Sequence, residues 1–357
     1  MIKTYLAVIQ EECFRSYLEK RSPGIIPQAT CIGTRDCFPP LYRYRNFSDY
    51  VVNDITCQKL SLSLISTFND LYDCTIHLPC QKGNIVADFE ALVPSLPTSN
   101  AAFISYYKDQ YINGQTLRAE KKERLNFDLL SYLKTYACCF STDNQSLLMW
   151  SHYSNCSQGI CVEYNFNELA ETSFISKTIF PVVYTASPLE LNDLMNSESI
   201  ADCLYPLDAA CLLAALNKCN DWQYEKEWRI IYRDDEKNLA TDYISIDSYI
   251  LPKRILFGYH FLKNFFVADD SCEQQIENVK KLLDNLDVLV SFMLQSGILA
   301  AYIIPTIGKF ELNVVDFPIQ ILEDFSKEHL EKNDIPNIKF YNHLHTIFKE
   351  LIEKTIM

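Results

Sequence analysis

Only eight of the 357 residues are glycine, and none falls in a phosphate-binding pattern. No Gly-x-Gly-x-x-Gly run exists, which sets aside a Rossmann dinucleotide cradle, and the P-loop pattern is missing as well. No Gly-x-Ser-x-Gly elbow occurs, so the α/β-hydrolase arrangement falls away too. The 14 cysteines include no Cys-x-x-Cys. Their nearest pairs are Cys138 with Cys139, Cys156 with Cys161, Cys31 with Cys37, and Cys74 with Cys80, spacings that fit neither zinc ligation nor a disulfide framework. Reduced thiols acting as small hydrophobes are expected. No apolar run reaches the roughly 18 residues needed to cross a bilayer. The opening Met1–Gln10 stretch runs straight into Glu11 and Glu12 instead of a cleavage site, so a cytoplasmic protein without membrane contact is expected. Positive charge is also short: 32 Lys and Arg face 46 Asp and Glu, a net charge of -14. That balance disfavours a protein whose main task is coating nucleic acid or an anionic membrane.

Apolar and aromatic residues are plentiful instead. Hydrophobic residues make up 48% and aromatics 13%, with 22 Tyr and 21 Phe, enough to bury a large core in one or two domains. The chain reads as an N-terminal lead-in (1–40, with a helix near 10–20), an α+β domain (41–265) and a mostly helical extension (266–357). Within the middle segment, strands are expected at Leu41–Phe47, Leu60–Ile65, Ala137–Thr142, Gly159–Tyr164, Phe180–Tyr184, Trp222–Tyr232 and Arg254–Gly258. A loop is expected over 79–100, a helix with a mixed-charge solvated face over 101–136, and a buried helix over 204–218. In the extension, the capping box Ser271–Gln274 predicts a helix to about Leu294, followed by a short strand over Phe310–Val315 and a terminal helix near 341–352. The extension looks appended, and its helices are a candidate surface for a partner protein.

The run Trp222–Arg229 carries two carboxylates two positions apart. As a strand, it places Glu225, Glu227 and Arg229 on one face and Tyr224, Lys226 and Trp228 on the other. On a solvated surface the acidic row is a salt-bridged exterior worth under about 1 kcal/mol per pair. In a cleft, the same acids are placed for general-base or hydroxyl-binding chemistry. Arg43 and Arg45 share a face of their own strand. Asn69, Asp70 and Asp73 are either turn formers or, with Glu163, ligands for a divalent ion. Trp150, His152 and Tyr153 read equally as a core anchor or as a stacking wall for a planar ligand. His343 and His345 stand two apart on a helix and so do not face one metal together.

In order, Leu41-Tyr-Arg-Tyr-Arg45, Phe68-Asn-Asp-Leu-Tyr-Asp73, Cys139-Phe-Ser141, Leu148–Tyr153 with Gly159-Ile-Cys-Val-Glu163, and Trp222–Arg229 resemble the signature of the bacterial family known as domain of unknown function 2971, over about residues 40–265. Leu71 and Tyr72 stand where that family often has Pro and Phe. A second likeness is to ADP-ribosyltransferases of the arginine-serine-glutamate type: Arg43 or Arg45, then Phe140-Ser141-Thr142, then Glu225-Lys-Glu227 follow their order. Asp143 stands where their second serine would be. This likeness implies a split, mostly antiparallel sheet with helical insertions, and NAD as substrate with no metal. It also implies Glu227 as the carboxylate stabilising positive charge on the ribose while holding its 2′-hydroxyl, and Glu225 as the residue orienting or deprotonating the acceptor. Arg43 or Arg45 would clamp a phosphate, Ser141 would support the strand or the ribose with Thr142 beside it in the cofactor site, and Tyr153 or Trp150, with His152 beside them, would form the nicotinamide wall. The acceptor, protein or nucleic acid, is unspecified, and family habit points to a toxin or antiviral defence effector. A metal-dependent nuclease or phosphohydrolase using Asp70, Asp73 and Glu163, and a non-catalytic protein-binding module, are the rival expectations.

Overall fold

The computed structural model describes residues 38–70, 72–74, 76–77, 135–169, 173, 175, 178–187, 189–190, 212–233, 242–265 and 273–332. The expected helices near 10–20 and 341–352, the loop over 79–100, nearly all of the helix over 101–136, Ser271 of the capping box and both His343 and His345 lie outside them.

In chain order the elements are β1 (Leu41–Arg45), α1 (Asp49–Thr56), β2 (Lys59–Leu64), β3 (Ile76–His77), β4 (Thr135–Ser141), α2 (Leu147–Tyr153), β5 (Ile160–Tyr164), β6 (Ile179–Pro181), β7 (Val183–Thr185), β8 (Leu189–Glu190), β9 (Asn217–Cys219), β10 (Glu227–Arg233), β11 (Tyr243–Asp247), β12 (Arg254–Phe257), α3 (Glu273–Ser296), β13 (Leu299–Pro305), β14 (Leu312–Asp316) and α4 (Gln320–Lys332). Among the described residues, ten strands form one sheet, antiparallel except where β12 meets β13. The fold class is therefore α+β with a mostly antiparallel open sheet.

The centre of the sheet is β4, whose aromatic and cysteine side chains suit a strand buried on both faces. Along one edge β10 pairs with it from end to end, Glu227 opposite Ser141 and Arg233 opposite Thr135. Two strands share the other edge. β1 joins at Ser141 through Tyr42, and β2 joins at Ala137 and Tyr136 through Ser63 and Leu64. Among the described residues, Cys138–Phe140 have no ladder partner on that edge, so the sheet forks there. The arm led by β1 continues through β5, β12, β13 and β14, and the arm led by β2 ends in β11.

Alternation sorts the two faces. Leu60, Leu62 and Leu64 of β2, Tyr136, Cys138 and Phe140 of β4, and Trp228 and Ile230 of β10 enter the main core. There α3 supplies Val279, Leu283, Leu286, Val290 and Met293 at helical spacing. On the opposite face a smaller core joins Tyr44 and Cys161 to Met149 and Trp150 of α2. Trp150 is fully buried, meets Tyr44 edge to face at 5.2 Å, and donates its indole N–H to the Asn144 carbonyl at 2.8 Å. Of the two readings offered for it, the structure shows the core anchor.

Two expectations need correcting. The segment after residue 265 is not merely appended: β13 pairs with β12 and β14 with β13, so both extend the same sheet. The expected strand over 222–232 begins only at Glu227. Asn220–Glu225 form a 3-10 helix, and Lys226 takes the left-handed conformation with φ 46° and ψ 50°. The faces consequently differ from strict alternation, since Trp228 enters the main core while Tyr224 packs beside the smaller one.

Close approach explains two glycines. A Cβ on Gly159 would stand 2.2 Å from the Arg45 carbonyl oxygen, and one on Gly258 2.2 Å from that of Ser157. The described cysteines, Cys57, Cys74, Cys138, Cys139, Cys156, Cys161 and Cys219, are all free thiols. Among the described residues no helix is long and apolar enough to cross a membrane.

Candidate functional site

The fork opens into a cavity of about 700 Å³, within the range of small-molecule sites. One part of its lining is a polar floor. The leucines of β2 point into the core, so Ser61 and Ser63 turn the other way, joined by Ser245, Cys139, Ser141 and Glu227 from neighbouring strands. Tyr153 of α2, Lys218 of β9, Glu225 and Asp73 close one side.

Five buried charges meet at that side, with Arg229 at the hub. Its Nε donates to Glu227 Oε1 at 2.8 Å and its Nη2 to Glu227 Oε2 at 2.9 Å. Its Nη1 and Nη2 also grip the two oxygens of Asp73, at 2.8 and 2.7 Å, and Nη1 donates to the Ala215 carbonyl at 2.8 Å. Arg229 thus engages two carboxylates bidentately, a geometry only a planar guanidinium offers, and it is 0% exposed. Lys218 donates to Glu225 Oε2 at 2.5 Å and Glu227 Oε2 at 3.0 Å, and stands 3.5 Å from Asp73. Tyr153 donates its hydroxyl to Glu225 Oε1 at 2.6 Å. Among the described residues, three carboxylates against two cations leave one negative charge.

The two glutamates are driven apart in acidity. Burial opposes the charge on Glu227, but Arg229 and Lys218 override it and hold the carboxyl down to about 2. Burial raises Glu225, Lys218 pulls it back, the charge of Glu227 raises it again, and the net direction is upward. Such divergence between neighbouring carboxyls is a mark of acid-base sites. The lone pairs diverge too. A carboxylate has about four acceptor positions, and Glu227 fills them with Arg229 twice, Lys218 and the Cys139 thiol. Among the described residues, Glu225 accepts from Tyr153 and Lys218 alone.

Arg43 and Arg45 line the same cavity from the other side of the sheet. Tyr42 shares a face with Ser141, and Ser141 with Glu227, so alternation turns Arg43 and Arg45 away from them. Arg43 bridges the fork, donating to the Ser61 carbonyl at 2.6 Å above the Phe140 ring. Arg45 lies 3.7 Å from Asp54. Arg43 is the main reason its guanidinium is pulled down to about 10. The cavity therefore joins a basic part to an acidic part through the fork.

Other expected residues lie elsewhere. Trp150 is in the core, while His152 is exposed with its Nδ1 3.3 Å from the Tyr224 hydroxyl. Neither Thr142 nor His152 lines the cavity. The rival metal set does not assemble. Asp73 is held by Arg229, Glu163 by Arg254 at 2.9 Å, and Asp70 caps the turn by accepting from the Tyr72 N–H at 3.0 Å. Among the described residues no group of three His, Cys, Asp or Glu could hold a metal ion. Lys218 is the residue the sequence reading missed; a lone lysine closing the apolar run Leu212–Leu216 was its available signal.

The charged cluster reaches the cavity from α2, β9 and β10, and this is the part of the chain with a known counterpart. Residues 149–230 match a family model described as a protein of unknown function, DUF2971. The DUF2971 match contains Tyr153, Lys218, Glu225, Glu227 and Arg229, while Asp73, Ser141 and both arginines of β1 lie before it. It is narrower than the resemblance over about 40–265. No curated protein and no solved structure matches the chain.

Proposed function

We propose that the forked cavity is an active site that transfers ADP-ribose from NAD to an acceptor nucleophile. The observation that carries this reading is that Ser141, Tyr153, Glu225, Glu227, Arg43 and Arg45 all line one cavity. The basic part suits the diphosphate, and the acidic part suits positive charge developing on the ribose. In the reaction the bond from C1′ to the nicotinamide nitrogen breaks and its electron pair leaves with nicotinamide. The acceptor oxygen or nitrogen bonds to C1′, and the acceptor's proton passes to Glu225. Glu225 takes this part because it keeps free lone pairs. Glu227, saturated by its partners, acts as a fixed anion. This division keeps the charge-stabilising part for Glu227 and, of the two parts the resemblance offers Glu225, takes deprotonation of the acceptor.

That saturation favours a second reading, a non-catalytic binding module in which the buried charges only fix β10. Nicotinamide release from NAD separates the two, measured with and without cell lysate as acceptor source. Glu225→Gln is expected to lower turnover by about 10²–10³, the scale for removing one preorganised electrostatic group. No release by wild type under either condition, or equal turnover in wild type and Glu225→Gln, would refute the transferase.

A further inference from the structure

β9 is three residues long and is held by its pairing with β7, with the Asn217 side chain accepting from the Thr185 hydroxyl at 3.0 Å. This fixes the base of Lys218, whose side chain is 5% exposed. Its ammonium faces Glu225, Glu227 and Asp73, with the Trp222 ring centroid 5.2 Å away. An ammonium has three donors and no acceptor, and three carboxylates surround this one. Arg229 is committed to Asp73 and Glu227. Glu225 has Lys218 as its cationic partner and Tyr153 as a neutral donor.

We propose that Lys218 is a positioning residue, holding Glu225 beside Glu227 in the cavity and leaving Glu225 free to accept a proton. The catalytic half of this inference rests on the transferase reading; the charge pairing stands without it. Among the described residues, the groups facing the pair and its lysine are Asp73 and Cys74 from the turn before β3, Cys139 of β4, Tyr153 of α2, Tyr184 of β7, Tyr224, Lys218 and Arg229. Of these, Lys218 opposes protonation of Glu225 most strongly. Without it, a buried Glu225 next to the Glu227 anion takes up a proton, and the base is blocked until higher pH.

The test compares pH–rate profiles of nicotinamide release for wild type, Lys218→Met and Lys218→Arg. The acidic limb should move up by at least about one pH unit in Lys218→Met, with KM for NAD little changed, and Lys218→Arg should restore it. Coincident limbs in wild type and Lys218→Met would overturn the proposal. Urea unfolding at pH 5 and pH 8 needs no turnover. Lys218→Met should lose more stability at pH 8, because its native state binds a proton that the unfolded chain releases. Lys218→Met with Glu225→Gln has the wild-type charge sum and should recover at pH 8, even if the single variant fails to fold there. Equal loss at both pH values, without recovery in the double variant, would overturn the pairing. A wild type without turnover whose variants unfold as expected would sink the transferase and leave the pairing standing.

Discussion

Replacing Arg229 with Met tests whether the charged hub holds the sheet together. Methionine keeps much of the length and apolar stem of the side chain, so the loss is chiefly the guanidinium. Asp73 then loses two hydrogen bonds at 2.8 and 2.7 Å, and Glu227 loses two at 2.8 and 2.9 Å. The cluster passes from one excess negative charge to two, with Lys218 as the cation left to it. Removing one partner of a buried ion pair costs about 3–5 kcal/mol, and two carboxylates are stranded here, so the upper part of that range is expected at pH 7.5. Arg229→Lys keeps the charge but cannot grip both carboxylates bidentately, and should fall between wild type and Met. Urea denaturation followed by tryptophan fluorescence suits the question, since Trp228 is the neighbouring residue and lies in the main core. Part of the loss should return near pH 5, where a stranded carboxylate takes a proton. A loss under about 1 kcal/mol, the scale of an exposed pair, would mean that the cluster is solvated and the hub is not structural.

Trp150→Ala should cost about 3–5 kcal/mol, read from the same unfolding curves; a folded variant that loses under about 1 kcal/mol would contradict its burial against Tyr44. Glu227 ionises near 4.5 when unfolded and near 2 when folded, so its contribution of about 3 kcal/mol is complete above the first value and is lost as pH falls towards the second. Glu227→Gln should therefore weaken the fold at neutral pH and flatten its acid dependence, and an unchanged acid transition would count against a buried, ionised Glu227.

Regular elements were legible where one physical signal dominated. β2 announced itself by leucines alternating with serines, and α3 by apolar residues every three or four positions. The candidate carboxylates were found for a partly mistaken reason. Glu225 and Glu227 were placed on one strand, whereas a left-handed Lys226 joins a 3-10 turn to the strand and brings both acids to one cavity. No periodicity rule encodes that conformation, because lysine carries no preference for positive φ. Lys218 was hidden by its neighbours, since an apolar run before a lysine reads as the end of a buried helix. Arg43 and Arg45 were expected beside Ser141 and Glu227. Only the register of β1 against β4 reveals that they approach from the opposite face, and register depends on pairings across distant parts of the chain.

The position of β4 also dictates when the fold can appear. Its partners come from residues 41–45, 59–64 and 227–233, so neither arm of the fork can close on a neighbour made shortly before or after it. Such distant pairings make for slow assembly. During synthesis, β1 and β2 must wait for β4, and β4 leaves the ribosome with one edge bare until β10 follows. The charged cluster then cannot assemble before β10 is made, and a chain stopped before residue 227 would carry Asp73, Lys218 and Glu225 but neither Arg229 nor Glu227 to meet them.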